Sequence, residues 1–146
     1  RRDPLSIVNI ETGESHQIGT GNSPRVSPDG QHIAVLSGTL WGDGCFVGYD
    51  VAILELDDTM HVAATYHQDD FAGLPGPEEE EAETASFYPV STEDIEAPGI
   101  WETNTQLMAG LSWSCYPLDE PKPENGIYEL DLTTLQANKI ADLEDE

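Results

Sequence analysis

Four histidines, two cysteines and twenty-nine carboxylates are the side chains of this 146-residue chain with the chemistry to bind metal or to react. The histidines are His16, His32, His61 and His67. His61 and His67 stand six apart, so on one continuous strand they share a face, with Asp69 and Asp70 close by. That pattern makes a poor metal site, and the plainer expectation is surface histidines at a strand end. Calcium is the better candidate. The Gly-rich stretch "WGDGCFVGYD" supplies Asp43 and Asp50, and "QDDF" supplies Asp69 and Asp70. Hard cations favour several carboxylate and carbonyl oxygens on a flexible loop. No EF-hand spacing occurs, so the expectation is no cofactor, with Ca²⁺ at these four aspartates as the alternative.

Catalysis has no motif to rest on. The chain lacks Gly-x-Ser-x-Gly, a P-loop, His-Glu-x-x-His and a dinucleotide fingerprint. Paired carboxylates of the glycosidase kind are uninformative, because so many acids supply pairs everywhere. The aromatics Trp41, Phe46, Tyr49, Phe87, Tyr88, Trp101, Trp113 and Tyr116 form either a sugar-binding surface or, as expected here, core. No catalytic residue is expected. Cys45 and Cys115 lie seventy residues apart, which is neither a zinc nor a thioredoxin spacing. They are a disulfide candidate worth about 4 kcal/mol by loop-closure arithmetic, or else two buried thiols.

Charge narrows the partners. The net charge is −24, and between Val26 and Pro121 there is no Lys or Arg against 19 Asp and Glu. Such a surface repels nucleic-acid phosphates and anionic membranes. Life in high salt, Ca²⁺ binding outside the cell and simple solubility are three open explanations for the acid. No apolar run approaches the ~20 residues that cross a bilayer. The start "RRDPLSIVNI" reads as a processed or trimmed terminus, which points to an extracellular, cell-surface or periplasmic chain.

The elements that must position these groups come from repetition. In "LSIVNIETGESHQI", residues 5–18, apolar and polar residues roughly alternate around a polar turn, which predicts a hairpin. Shifted by 122 positions, the shape returns without a gap as "IYELDLTTLQANKI", residues 127–140. Shifted by 46, it meets "VAILELDDTMHVAA", residues 51–64. An interval of 46 is near the ~40–45 residues of a four-stranded propeller blade. Between the first two copies, "SPRVS", the turn "PDG" and "QHIAVLSG" supply two further strands.

"SPRVSPDGQHIAVLSG" followed by "VAILELDD" resembles the TolB-type and WD40-like β-propeller repeat, in which a strand ending in Ser-Pro-Asp-Gly precedes an Ile-Ala-hydrophobic strand. The resemblance is specific over residues 5–38 and moderate over 51–64. It weakens at "GLSWSCYPLDE", where Cys115 stands in place of the expected Pro. It implies an all-β chain of antiparallel, four-stranded, blade-like sheets in an incomplete ring. A β-sandwich built from the same hairpins is the alternative.

The whole chain, 1–146, then reads as a single all-β domain. Its parts are a hairpin at 5–18, a complete blade at 24–65, an acidic Pro-rich insertion at 66–105 and a degenerate blade at 106–143. Within the insertion, "SFYPV" and "GIWET" are candidate short strands or anchors. Closed propellers use about four to eight blades, so this chain does not close a ring alone. It is a fragment, it assembles with copies of itself, or it packs its sheets face to face. Propeller repeats imply protein–protein contacts, and the expectation is a non-enzymatic module that forms a homo-oligomer or filament, or completes its sheet with another protein. Assembly is expected through unpaired sheet edges at Leu5–Ile10 and Ile127–Leu132, with Leu5, Ile7 and Ile10 on the first hairpin and Ile127, Leu130 and Leu132 on the last as the interface candidates. A propeller piece of a larger hydrolase and a Ca²⁺-dependent or glycan-binding adhesin are the rival readings.

Overall fold

The computed structural model describes residues 4–37, 50–74, 87–89, 98–113 and 125–142. Its strands are β1 (Pro4–Val8), β2 (Ser15–Thr20), β3 (Asn22–Val26), β4 (His32–Ser37), β5 (Asp50–Leu56), β6 (Val62–His67), β7 (Phe87–Pro89), β8 (Ile100–Trp101), β9 (Gln106–Trp113), β10 (Gly126–Asp131) and β11 (Gln136–Asp142). One 3₁₀ turn spans Gln68–Asp70, and the described residues contain no α-helix. The protein is all-β.

Among the described residues three antiparallel sheets form, and none closes into a barrel. Sheet I is the β1–β2 hairpin; sheet II is the meander β3-β4-β5-β6. Sheet III runs β11-β10-β9, and β7 and β8 share the remaining edge of β9. β7 lies along Leu111–Trp113 and β8 along Leu107–Met108, so the two short strands fill one position. Sheets II and III are thus both four strands wide. Sheet III draws that outermost position from the stretch read as an acidic insertion.

Burial shows how the sheets are layered. One core joins Ile18 of β2, with Leu5 and Ile7 of β1 against it, to Ile33, Val35, Ala52, Leu54 and Leu56 of sheet II. The other joins Ala34, Val51 and Ile53 of sheet II to Leu107, Ala109, Leu111, Tyr128, Leu130 and Ala137 of sheet III. Sheet II is the middle layer, covered on both faces. This explains why "VAIL" in β5 shows no alternation, since a strand buried on both sides needs apolar residues at every position. In β10 only Gly126, Tyr128 and Leu130 are buried, so the period-2 pattern survives. Fully buried Val35, Ile53, Leu107, Leu111 and Leu130 each contribute about 1.5–3 kcal/mol.

The Ser-Pro-Asp-Gly stretch makes the turn between β3 and β4. The Gly30 N–H donates to Ser27 O at 2.9 Å, with Gly30 in the left-handed region at φ 74°. The Ser27 hydroxyl donates to Asp29 Oδ1 at 2.7 Å and accepts the His32 N–H at 3.1 Å.

The 122-residue repeat holds in the backbone. The pair Val8↔Ser15 recurs as Leu130↔Ala137, and the bulge between Leu5 and Ser6 recurs between Ile127 and Tyr128. Asn9 O accepts the Gly13 N–H at 2.8 Å, and Asp131 O accepts the Leu135 N–H at 2.8 Å. The shift of 46 does not hold. In the β5–β6 turn Asp57 takes the part of Asn9, accepting the Thr59 N–H on Oδ1 as Asn9 Oδ1 accepts that of Glu11. The offset is therefore 48. The turn is also shorter, closing at Leu56↔Val62, and its bulge moves to Glu55/Leu56.

Candidate interaction surface

Among the described residues β1 pairs with β2 alone, whereas its counterparts β5 and β10 are each flanked on both sides. Sheet I therefore presents an unpaired strand edge where sheets II and III have two further strand positions. The expectation of a second such edge at Ile127–Leu132 is corrected here: β10 is hydrogen-bonded to β9 on one side and β11 on the other. Leu130 is fully buried, and Leu132 packs half-buried against the core between sheets II and III. Leu5 and Ile7 are half-buried against sheet II, so these two side chains are taken up within the chain while the backbone edge of β1 is left for a partner. Ile10 stands 95% exposed at the turn beyond it.

A polar cluster joins sheets II and III near their turns. His32 is buried, 7% exposed, because β4 lies inside the middle sheet. Its Nε2 lies 3.2 Å from Glu55 Oε1, its ring centroid lies 5.9 Å from that of Trp101, and its Nδ1 has no hydrogen-bond partner. The Trp101 indole N–H donates to Arg25 O at 2.8 Å, and the Asp29 N–H donates to Asn104 Oδ1 at 2.9 Å. These two bonds tie sheet II to the start of sheet III. The Ser27 hydroxyl is turned to Asp29 and not to the His32 ring, so Ser27, His32 and Asp29 do not form a nucleophile–base pair.

Among the described residues three carboxyls depart from their ordinary range. The Ser27 hydroxyl and the Gln31 N–H hold Asp29 below it, and the Thr59 hydroxyl with the His61 N–H does the same for Asp57. Burial, with the Glu129 carboxylate beside it, pushes Glu102 up. The Gln106 amide reaches both Glu129 (3.4 Å) and Asp131 (3.3 Å), so this end of sheet III is acidic.

The metal-ligand candidates that the structure describes lie at the junction of β5 and the 3₁₀ turn, where the Val51 N–H donates to Gln68 Oε1 at 3.4 Å. Asp43, Cys45 and Cys115 lie outside the described residues. Asp50 begins β5, and Asp69 and Asp70 lie in the 3₁₀ turn, where Asp70 Oδ2 accepts the His67 N–H at 2.8 Å. His61 and His67 stand at opposite ends of β6. His61 instead stacks on His16 of sheet I, with centroids 4.4 Å apart and planes 14° apart. Among the described residues no group of three or more His, Cys, Asp or Glu could hold a metal ion. Sequence reasoning missed the His16–His61 stack and the setting of His32 beside Glu55 and Trp101; the one signal for His32 was its place two residues after the Ser-Pro-Asp-Gly turn.

The class that this fold defines is an all-β protein of layered antiparallel sheets, of which the first is, among the described residues, a bare two-stranded hairpin. No family model matches the chain, and no curated protein or solved structure matches it.

Proposed function

We propose that this chain is a non-enzymatic protein-interaction module that assembles through a free strand edge into an oligomer or filament. The observation that carries this reading is the edge of β1, bare among the described residues, whose counterparts in the other two sheets are paired on both sides. An extended backbone offers a row of donors and acceptors, and a strand from another molecule satisfies them by β-augmentation. The acid opposes self-association at low ionic strength and is screened in molar salt, where the Debye length falls to about 3 Å. Sedimentation from micromolar to millimolar protein in molar NaCl, read together with amide exchange, tests the proposal. The mass grows with concentration, and amides of Leu5–Val8 exchange more slowly in the assembled form. A chain that stays monomeric throughout this range overturns it.

A further inference from the structure

The hairpins that recur along the chain also pack in a recurring way. Leu5 and Ile18 of sheet I rest on Leu54, Leu56 and Val35 of sheet II. One layer on, Ile53 and Tyr66 of sheet II lie in the core shared with sheet III. These are the same places in the repeat, at the shift of 48 that relates Leu5 to Ile53 and Ile18 to Tyr66. In sheet III those places are Ile127 and Ile140, and here the series stops. Ile140 is 48% exposed, and Ile100, paired with Met108 on the same face, is 41% exposed. Glu129 shares this face and Glu102 flanks it.

The opposite end of the stack is also uncovered among the described residues. The face of sheet I turned away from sheet II carries Ser6, Val8, Ser15 and Gln17, all exposed, Val8 at 58%. In sheet II the matching face carries Leu54 and Leu56 at the places of Ser6 and Val8, and sheet I covers it.

We infer that sheet III of one molecule stacks on this outer face of sheet I in a second copy of the chain. Ile127 and Ile140 then meet Val8, and Ser6 and Ser15 are small enough for the backbones to approach. The second copy is the occupant because the contact continues an interface that the chain already builds twice within itself, in the same order of strands. Serine in place of Leu54 makes it weaker than the internal contacts, and the net charge of −24 on each copy makes it salt-dependent. The two faces differ, so the contact is heterologous and propagates into a ring or an open filament. This rests on the self-assembly reading above and names the surfaces involved.

The experiment is sedimentation of the full chain in molar NaCl with three substitutions at exposed positions, each variant first checked for an unchanged melting curve. Ser6→Leu restores the residue type that sheet II has at this place, and it raises the association constant about tenfold. Ile140→Lys and Val8→Lys, on opposite partners of the contact, each lower it about tenfold. Association that ignores all three substitutions overturns the stacking contact and leaves edge pairing through β1 standing. If wild type and Ser6→Leu both remain monomeric at millimolar concentration, the stacking contact and the self-assembly reading fall together.

Discussion

The hairpins β1–β2 and β10–β11 share a register, a bulge and a turn, yet one backbone pattern has two fates. Val8 is 58% exposed and Leu130, 122 positions on, is fully buried. Ile18 is 8% exposed, whereas Ile140 is 48% exposed. Each hairpin covers one face, and they cover opposite faces. Sheet I lies on sheet II with its Leu5–Ile18 face, and sheet III receives sheet II on its Tyr128–Leu130 face. Local sequence sets the hairpin, and its place in the stack decides which side of it becomes core.

Equivalent truncations break this symmetry most sharply. Leu130→Ala empties a fully buried place between sheets II and III and costs about 2–5 kcal/mol. Val8→Ala, at the same place in the repeat, stays within about 0.5 kcal/mol, because the side chain already faces solvent. Denaturant unfolding of the two variants checks this, and comparable losses would show that the sheets are not layered in this order.

The 122-residue relation was legible because both turns leave the same number of residues between paired positions, so residue type and spacing agree. The middle copy was misaligned by two residues, since its turn closes at Leu56↔Val62 and no local signal marks a displaced bulge. β7 and β8 were seen only as candidate strands, because three and two residues are too short to show a period. The His16–His61 stack and the burial of His32 were out of reach. Both join elements distant in sequence, and pairing across layers leaves no trace in spacing along the chain. An unpaired edge was anticipated at both ends; among the described residues β1 is an edge strand and β10 a central one, and only sheet topology could separate the two.

The junction of sheets I and II offers a second, smaller contrast. Chain passes from β2 to β3 over Gly21, and a Cβ placed there would lie 2.9 Å from both Cβ and Cγ2 of Val35 and 3.1 Å from Leu36 O. Val35 is fully buried in the core under sheet I, so it has little room to retreat. Gly21→Ala therefore lifts the first hairpin off its seat at a cost of about 1–3 kcal/mol. Amide exchange locates the effect: protection falls in β1 and β2, and β9–β11 keep theirs. Uniform loss across all three sheets would mean that sheet I is not a separate layer.

The smallest effect concerns one place in the repeat with opposite electrostatics. Glu55 in sheet II and Glu129 in sheet III are counterparts of Ile7, at shifts of 48 and 122. Glu55 meets the His32 imidazole, whereas Glu129 meets the Glu102 carboxyl. Burial first, and then Glu129, raise Glu102 above its ordinary 4.5, so the folded chain holds that proton more tightly than the unfolded chain does. The pair therefore favours folding below the ordinary carboxylate range, and the contribution is lost as pH rises through the folded value. Asp29 and Asp57 act in the opposite direction, because hydrogen bonds lower them, and their contribution disappears as pH falls. Glu102→Gln keeps the shape and removes the charge. Its melting temperature rises slightly over wild type at neutral pH and converges with wild type well below pH 4.5. An equal offset at both pH values would mean that neither burial nor the Glu129 carboxylate raises Glu102, and that the two sheets treat this place alike.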